Sequence, residues 1–289
     1  MERYVAVIID IIESRHIDDR KRAQELMHSC ISFLNIQYKK YLVKDVVVSA
    51  GDEFQGLFNE LSAAIDYIRI LQLLIYPLTI RCGIGVGSIK YDIEDWSSLD
   101  IDGECYYNAR YAIEDCEKEY QIKVKGTNDD QCFNILFTHI SNLKSKQTSI
   151  TLFIELLIEI ITPLNNEGFS LAPMDQAIEL ISIVNQNYIN KEAYRSLKSK
   201  NSKISKYKKQ YDYLDFESIK YYIYNPIPSL INRTKASCEV KLGRGAINII
   251  SEIMDVSSQN VSAIIKKGSI DLERNTWGFL EERAKGQNV

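Results

Sequence analysis

VVVSAGDEFQGLF, Val46 to Phe58, sets a charged Gly-Asp-Glu turn between two apolar runs that read as the buried strands of a hairpin. Asp and Glu are rare in apolar surroundings unless something pairs with them. A second carboxylate, Asp10, ends the first apolar run of the chain, VAVIID. Between the two lies enough chain for one helix and one strand. If these elements form a split βαβ, with the first strand antiparallel to the one starting near Glu53, then the end of one meets the beginning of the other. Asp10 and Asp52 then face one spot. Two carboxylates forced together either raise one pKa or hold a cation, and Mg²⁺ suits such a pair because it is bound by one or two carboxylates together with substrate phosphates. The plainer reading makes Gly51-Asp52 a hairpin turn and Asp10 a solvated strand end.

Working outward, Tyr4 to Ile9 is an uninterrupted apolar run, as in a central strand covered on both faces. From about Asp18 to Asn35, Ala23, Leu26, Met27, Cys30, Phe33 and Leu34 recur at helical spacing. A second helix is predicted from Leu61 to Ile75, closed by Pro77. In LTIRCGIGVGSIK, Ile80, Cys82, Ile84 and Val86 alternate with Arg81, Gly83, Gly85 and Gly87, so one face is apolar and the other nearly bare backbone. Such a strand either receives a ligand against its glycines or packs a helix tightly on them. The acidic stretch YDIEDWSSLDIDGE then leads into CYYNARYAIEDCEKEY, helical by the spacing of Tyr107, Ala109, Tyr111, Ala112 and Cys116. Asn108 and Arg110 fall near the start of that helix, where the dipole favours an anion such as phosphate. A polar helix face with a salt bridge to Glu114 or Asp115 is the alternative. CFNILF, Cys132 to Phe137, is expected as the last strand of a β-α-β-β-α-β core with an extra helix and strand.

A chain of 289 residues with 45% hydrophobic content has room for two domains. The net charge of −4 conceals acidic residues gathered in the first half and basic ones crowded after Asn190. The six cysteines form no C-x-x-C pair and have no His at metal-ligand spacing, so a reduced, cytoplasmic protein is expected. Met1 is followed by Glu2-Arg3 and a strand rather than by a signal-peptide core. The longest apolar run, ITLFIELLIEIITPL, is too short to span a bilayer and carries Glu155 and Glu159, which argues against a membrane partner.

DIIESR, SAGDEFQGLF, RCGIGVGSI and DGECYYNARYAIE, in this order and at this spacing, resemble the SatD family of bacterial proteins. Behind that family they resemble the palm domain of class III nucleotidyl cyclases, with a looser similarity to diguanylate cyclases and the polymerase-like palm of CRISPR proteins. The resemblance is strong over roughly the first 137 residues; beyond them it extends only to SatD-like architecture. It implies an α+β fold, with a ferredoxin-like palm domain over residues 1–143. It also implies Asp10 and Asp52 as ligands of two Mg²⁺ or Mn²⁺ ions, and a nucleoside triphosphate, purine favoured, in contact with Ser14, Gly85 and Gly87. Asp100 falls where adenine-specific cyclases place a base-recognising Asp. In that family two metals activate a ribose 3′ hydroxyl and clamp the triphosphate for in-line attack. A cyclase or nucleotidyltransferase activity would give Asn108 and Arg110 the catalytic, transition-state positions, and the cyclase habit of building sites across two chains implies a homodimer. Three departures stand against turnover. Val48 replaces the purine-recognising Lys. Glu13 replaces a small Gly after the first metal Asp. Asn108 and Arg110 are two residues apart instead of a full turn and so do not share a helix face. Nucleotide or metal binding survives these departures better than turnover does.

A boundary near Leu143 to Thr148 opens a helical domain over 149–289. It begins with an apolar helix from Ser149 to Thr162, then a loop bracketed by Pro163 and Pro173, then a helix from Met174 to Asn190. KEAYRSLKSKNSKISKYKKQYDY is a basic stripe with Tyr194, Tyr207 and Tyr211 interleaved. It is either a phosphate-neutralising surface or a solvated helix face. GAINIISEIMDVSSQNVSAIIKKGS is similar to a helix-turn-helix over 245–267, with Met254 to Ser257 as the turn. Ser258, Gln259, Asn260 and Ser262 then lie toward a DNA groove and Lys266 toward phosphate. Two packed helices carry the same pattern without touching DNA. Three functions follow: a metal-dependent, nucleotide-responsive regulator in stress response, with or without turnover; a DNA-binding transcriptional regulator whose degenerate palm serves dimerisation; or an interaction module in a stress response, as the link of SatD proteins to acid tolerance suggests.

Overall fold

In the computed structural model of the chain, which describes residues 2–17, 19–89, 98, 101–117, 121–164, 173–189, 215–227, 231–233 and 240–287, Arg3–Ile11 forms strand β1 at the centre of a five-stranded sheet. The chain continues through α1 (Arg20–Gln37), β2 (Leu42–Ala50), β3 (Glu53–Phe58), α2 (Leu61–Leu74), β4 (Ile80–Ser88), α3 (Glu104–Glu114), β5 (Ile122–Lys125) and α4 (Asp130–Lys144). The strand order is β2-β3-β1-β4-β5, antiparallel at every pair except the parallel β4–β5. Thus β1-α1-β2 has β3 between its strands, and β3-α2-β4 has β1 between its own.

The alternation along each strand decides which helix covers which face. Phe54 and Phe58 meet His28 of α1 and Tyr67 of α2 edge to face. Ala6, Ile8 and Leu57, on the opposite face, form one core with Cys105, Tyr106, Ala109 and Ile113 of α3. β1 is covered on both sides, and Val5 to Ile9 are all buried. Both outer strands have backbone groups capped by asparagine, which blunts edges that would otherwise recruit another strand. On β2, Asn35 Nδ2 donates to the Val46 carbonyl (2.9 Å) and the Val46 amide donates to Asn35 Oδ1 (3.2 Å). On β5, Asn134 does the same for Val124, at 2.9 and 2.7 Å.

One expected element changes type. Cys132 to Phe137, anticipated as the last strand, lies inside helix α4, and the outer strand is β5, Ile122–Lys125. Read beyond the short apolar run, Phe133, Phe137 and Ile140 keep helical spacing and are buried. Asp130, the first residue of the helix, ties it to the preceding turn, accepting from the Gly126 and Thr127 amides at 3.0 and 2.7 Å.

The described residues divide into two compact units, one within Met1–His16, Arg20–Ser145 and Phe279–Val289, the other within Ile17–Asp19 and Lys146–Gly278. The second holds α5 (Ser149–Ile161), α6 (Met174–Ile189), α7 (Phe216–Tyr224), a ribbon of β6 (Ile231–Arg233) and β7 (Val240–Leu242), α8 (Arg244–Ile253), α9 (Ser258–Gly268) and the start of α10 (Ile270–Lys285). The two-stranded ribbon is an addition to the expected all-helical makeup. Among the described residues the fold is mixed α+β, with an open five-stranded sheet and ten helices. α5 is the hub of the second unit, buried from Ile150 through Ile161 and touching α6, α7, α8 and α9. Its Glu159 forms a buried ion pair with Arg274, whose guanidinium also donates to the Thr162 carbonyl at 2.9 Å. No helix among the described residues is long and apolar enough to cross a membrane. The described cysteines are free thiols. The basic stripe of residues 191–213 lies outside the described residues.

Candidate functional site

The register of β1 sets the site. Asp10 stands opposite Glu53 of β3 on one side and Arg81 of β4 on the other, and Asp52 adds its charge from the adjoining turn. Arg81 reaches across the sheet with Nε and a terminal nitrogen each 2.8 Å from Asp10 Oδ2, while its other terminal nitrogen donates to the Cys116 carbonyl at 3.2 Å. From α3, Arg110 grips Glu53 in a two-pronged pair at 2.5 and 2.8 Å, and Ser49 Oγ donates to the same carboxylate at 2.8 Å. Three carboxylates and two guanidinium groups therefore meet at one end of the sheet.

Their electrostatics differ. Burial pushes the Asp10 carboxyl above its ordinary value; Arg81 opposes this, and the charges of Asp52 and Glu53 add to it. Hydrogen bonding from Arg110 holds Glu53 below its ordinary value. Glu53 is thus saturated as an anion and Asp10 only half engaged: its Oδ1 accepts no hydrogen bond among the described residues, and Asp52 has no hydrogen bond or ion pair there. Carboxylate oxygens of this kind are what a hard divalent cation takes. Among the described residues no group of three or more His, Cys, Asp and Glu is arranged to hold a metal. The residues therefore fit such a cation only in company with further oxygen ligands, as phosphates supply.

Other residues singled out in the sequence go elsewhere. Gly85 and Gly87, with Gly83, lie directly under α3, where an added Cβ would fall within 3.0 Å of the backbone of Cys105, Ala109 or Ile113. Of the two readings of this glycine face, helix packing is the one realised, and no room is left there for a ligand. Because Gly87 meets Glu104 and Cys105 while Gly83 meets Ala109 and Ile113, the N-terminus of α3 sits at the far end of β4 from Arg81. The six-residue separation from Arg81 to Gly87 is about 20 Å. That helix end carries Glu104, which accepts from the Ser88 amide and hydroxyl at 3.1 and 3.2 Å. A phosphate at the start of α3 and a cation at Asp10 would thus be apart, contrary to the expectation of one shared site. Asn108 donates to the Val86 carbonyl (2.9 Å) and Arg110 turns to Glu53, so the two side chains engage different partners. Ser14 is buried in a 3₁₀ turn, Ser14–His16, beyond β1. Glu13, just before it, has φ of 53°, the backbone region that favours glycine. Asp100 lies outside the described residues.

In the second unit, α8 and α9 are joined by the turn at Met254–Ser257, and Ser257 Oγ caps α9 by accepting from the Asn260 amide at 3.3 Å. Gln259, Asn260, Ser262 and Lys266 are exposed. Ser258 instead faces α8, bonded to Asn248 and Ser251 at 3.0 and 3.2 Å.

Arg81, Glu53 and Ser49 were not anticipated as site residues. The signal for Arg81 was its place in the glycine alternation, on the strand face that Asp10 also shares once β1 pairs with β4.

An open α+β sheet that gathers opposed charges at one strand end defines the class of the first unit. Residues 4–204 match the profile of the SatD family, and the chain belongs to that family. No curated protein matches the chain.

Proposed function

We propose that the first unit is a ferredoxin-like palm that binds a nucleoside triphosphate together with Mg²⁺ or Mn²⁺ at the Asp10 end of its sheet, and that the second unit converts occupancy into a regulatory output. The observation that carries this reading is the meeting of Asp10, Asp52 and Glu53 with Arg81 and Arg110. The interleaved βαβ order, β2-β3-β1-β4, supports it. Asp10 and Asp52 would hold the cation, and Arg110, half exposed on α3, is within reach as a phosphate donor. A bound divalent cation supplies charge neutralisation for the phosphates. The separation of Asn108 from Arg110 favours binding over turnover.

The test is the thermal midpoint of the full chain with each nucleoside triphosphate and Mn²⁺. A ligand at about 100 times its Kd stabilises by about 2.7 kcal/mol, a rise of roughly 5 °C or more. The rise is expected with purine nucleotides, and expected to vanish in Asp10→Asn and Asp52→Asn, each compared with its own unliganded midpoint. A wild-type midpoint indifferent to every nucleotide ends the reading, and pyrophosphate release would extend it to turnover.

A second reading, DNA binding by a helix-turn-helix at α8–α9 with the palm as a homodimer scaffold, is favoured by the exposed row Gln259, Asn260, Ser262 and Lys266. It calls for salt-dependent DNA binding that persists in Asp10→Asn and fails in Gln259→Ala with Asn260→Ala.

A further inference from the structure

We propose that Arg81 is a built-in competitor for the cation, so that the free protein holds a divalent metal weakly and takes it up only when nucleotide phosphates arrive. The inference rests on the nucleotide-site reading above and adds to it an order of binding and the residue that sets it.

The geometry carries the argument. A cation held by Asp10 and Asp52 would need Asp10 oxygens, and Arg81 already places two nitrogens on Oδ2 at 2.8 Å each. Charge-assisted hydrogen bonds of this kind are among the stronger ones a carboxylate makes. The guanidinium is also held from behind by the Cys116 carbonyl at 3.2 Å, so it is pre-positioned and loses little freedom on pairing. Its side chain is 39% exposed against 21% for Asp10, which leaves it a solvent-side path when displaced.

A metal ion alone would either break this pair or take the unengaged Oδ1 beside a guanidinium that already neutralises Asp10, and would gain only Asp10 and Asp52 in exchange. A metal arriving with a triphosphate meets a different balance: the phosphates complete its coordination, and their negative charge gives Arg81 a new partner nearby. Arg110 differs in kind. Its two-pronged grip is on Glu53, reinforced by Ser49, and not on Asp10, so its removal is expected to weaken phosphate binding first.

The experiment titrates Mn²⁺ into the full-length protein and reads free Mn²⁺ by its electron paramagnetic resonance signal, with and without a non-hydrolysable purine triphosphate. In wild type, Mn²⁺ alone is expected to bind weakly and the nucleotide to tighten it. In Arg81→Met, Mn²⁺ alone is expected to bind about tenfold tighter or more, with the nucleotide's enhancement reduced. Asp10→Asn in the Arg81→Met background is expected to abolish the gain. Arg81→Lys, which keeps the charge and the stem but not the fork, gives an intermediate affinity and guards against a misfolded Met variant. Equal Mn²⁺ affinity in wild type, Arg81→Met and Arg81→Lys overturns the competitor role while leaving the nucleotide site standing. Absence of Mn²⁺ binding in every variant, with and without nucleotide, overturns both.

Discussion

Gly85→Ala is expected to destabilise the first unit by about 3 kcal/mol or more, at the upper end of overpacking costs. The added methyl would meet the Cys105 carbonyl oxygen and the Ala109 amide of α3 at less than 3.0 Å. Both are backbone atoms, so no side chain can swing aside, and relief requires lifting α3 off β4. Gly83 and Gly87 are under the same constraint, hence the row of small residues at every second position. The control is Gly51, which has φ of +63° but nothing within 4 Å of an added Cβ. Gly51→Asn should therefore cost far less, since Asn tolerates the left-handed region. Urea denaturation of the full chain reads both, as a shift of midpoint at constant slope for the transition of this unit. A Gly85→Ala protein with a wild-type midpoint would mean that α3 does not rest on the strand.

Arg69→Met should cost about 3–5 kcal/mol, the range for removing one partner of a buried ion pair. In the first unit Arg69 is 1% exposed and donates from Nε and a terminal nitrogen to Asp66 Oδ1 at 2.9 and 2.5 Å, with Glu281 Oε1 3.4 Å away. Tyr38 donates its hydroxyl to the other Asp66 oxygen at 2.6 Å. One guanidinium thus serves two buried carboxylates. Burial, aided by the charge of Asp66, pushes the Glu281 carboxyl up to about 8, against the pull of Arg69 and Lys285. The sign follows directly. With its folded pKa above the unfolded value, Glu281 stabilises fully at low pH, and that contribution is lost as pH rises from about 4.5 toward 8, at up to about 1.4 kcal/mol per pH unit. Glu281→Gln, which mimics the protonated carboxyl, should be mild at neutral pH and should flatten this slope in a series of urea midpoints. A slope unchanged in Glu281→Gln would place the proton on another group.

Much of the first unit was legible in the chain. The uninterrupted run at Tyr4 to Ile9 marked the central strand, and the spacing of Ala23, Leu26, Met27, Cys30, Phe33 and Leu34 marked α1. Cys132 to Phe137 misled because a six-residue apolar run satisfies a strand and a buried helix equally; the helical period shows only when Ile140 is included. Ile231–Arg233 and Val240–Leu242 are too short for any period to register. At the site, Asp10 and Asp52 were legible as strand-end carboxylates, and Arg81 was overlooked because its importance lies in its neighbour on β1.

By itself the sequence determined the local elements, the apolar face of each, and the acidic turn that β1 and β3 bring opposite one another, because these depend on periodicity and on residues close in the chain. Only the tertiary structure decided that α3 fills the glycine face, that its N-terminus lies away from Asp10, and that Arg81 and Arg110 neutralise the carboxylates. Those outcomes follow from strand register and helix direction. One residue of slip in register sends every side chain to the other face, and no short-range pattern in the chain records which register wins.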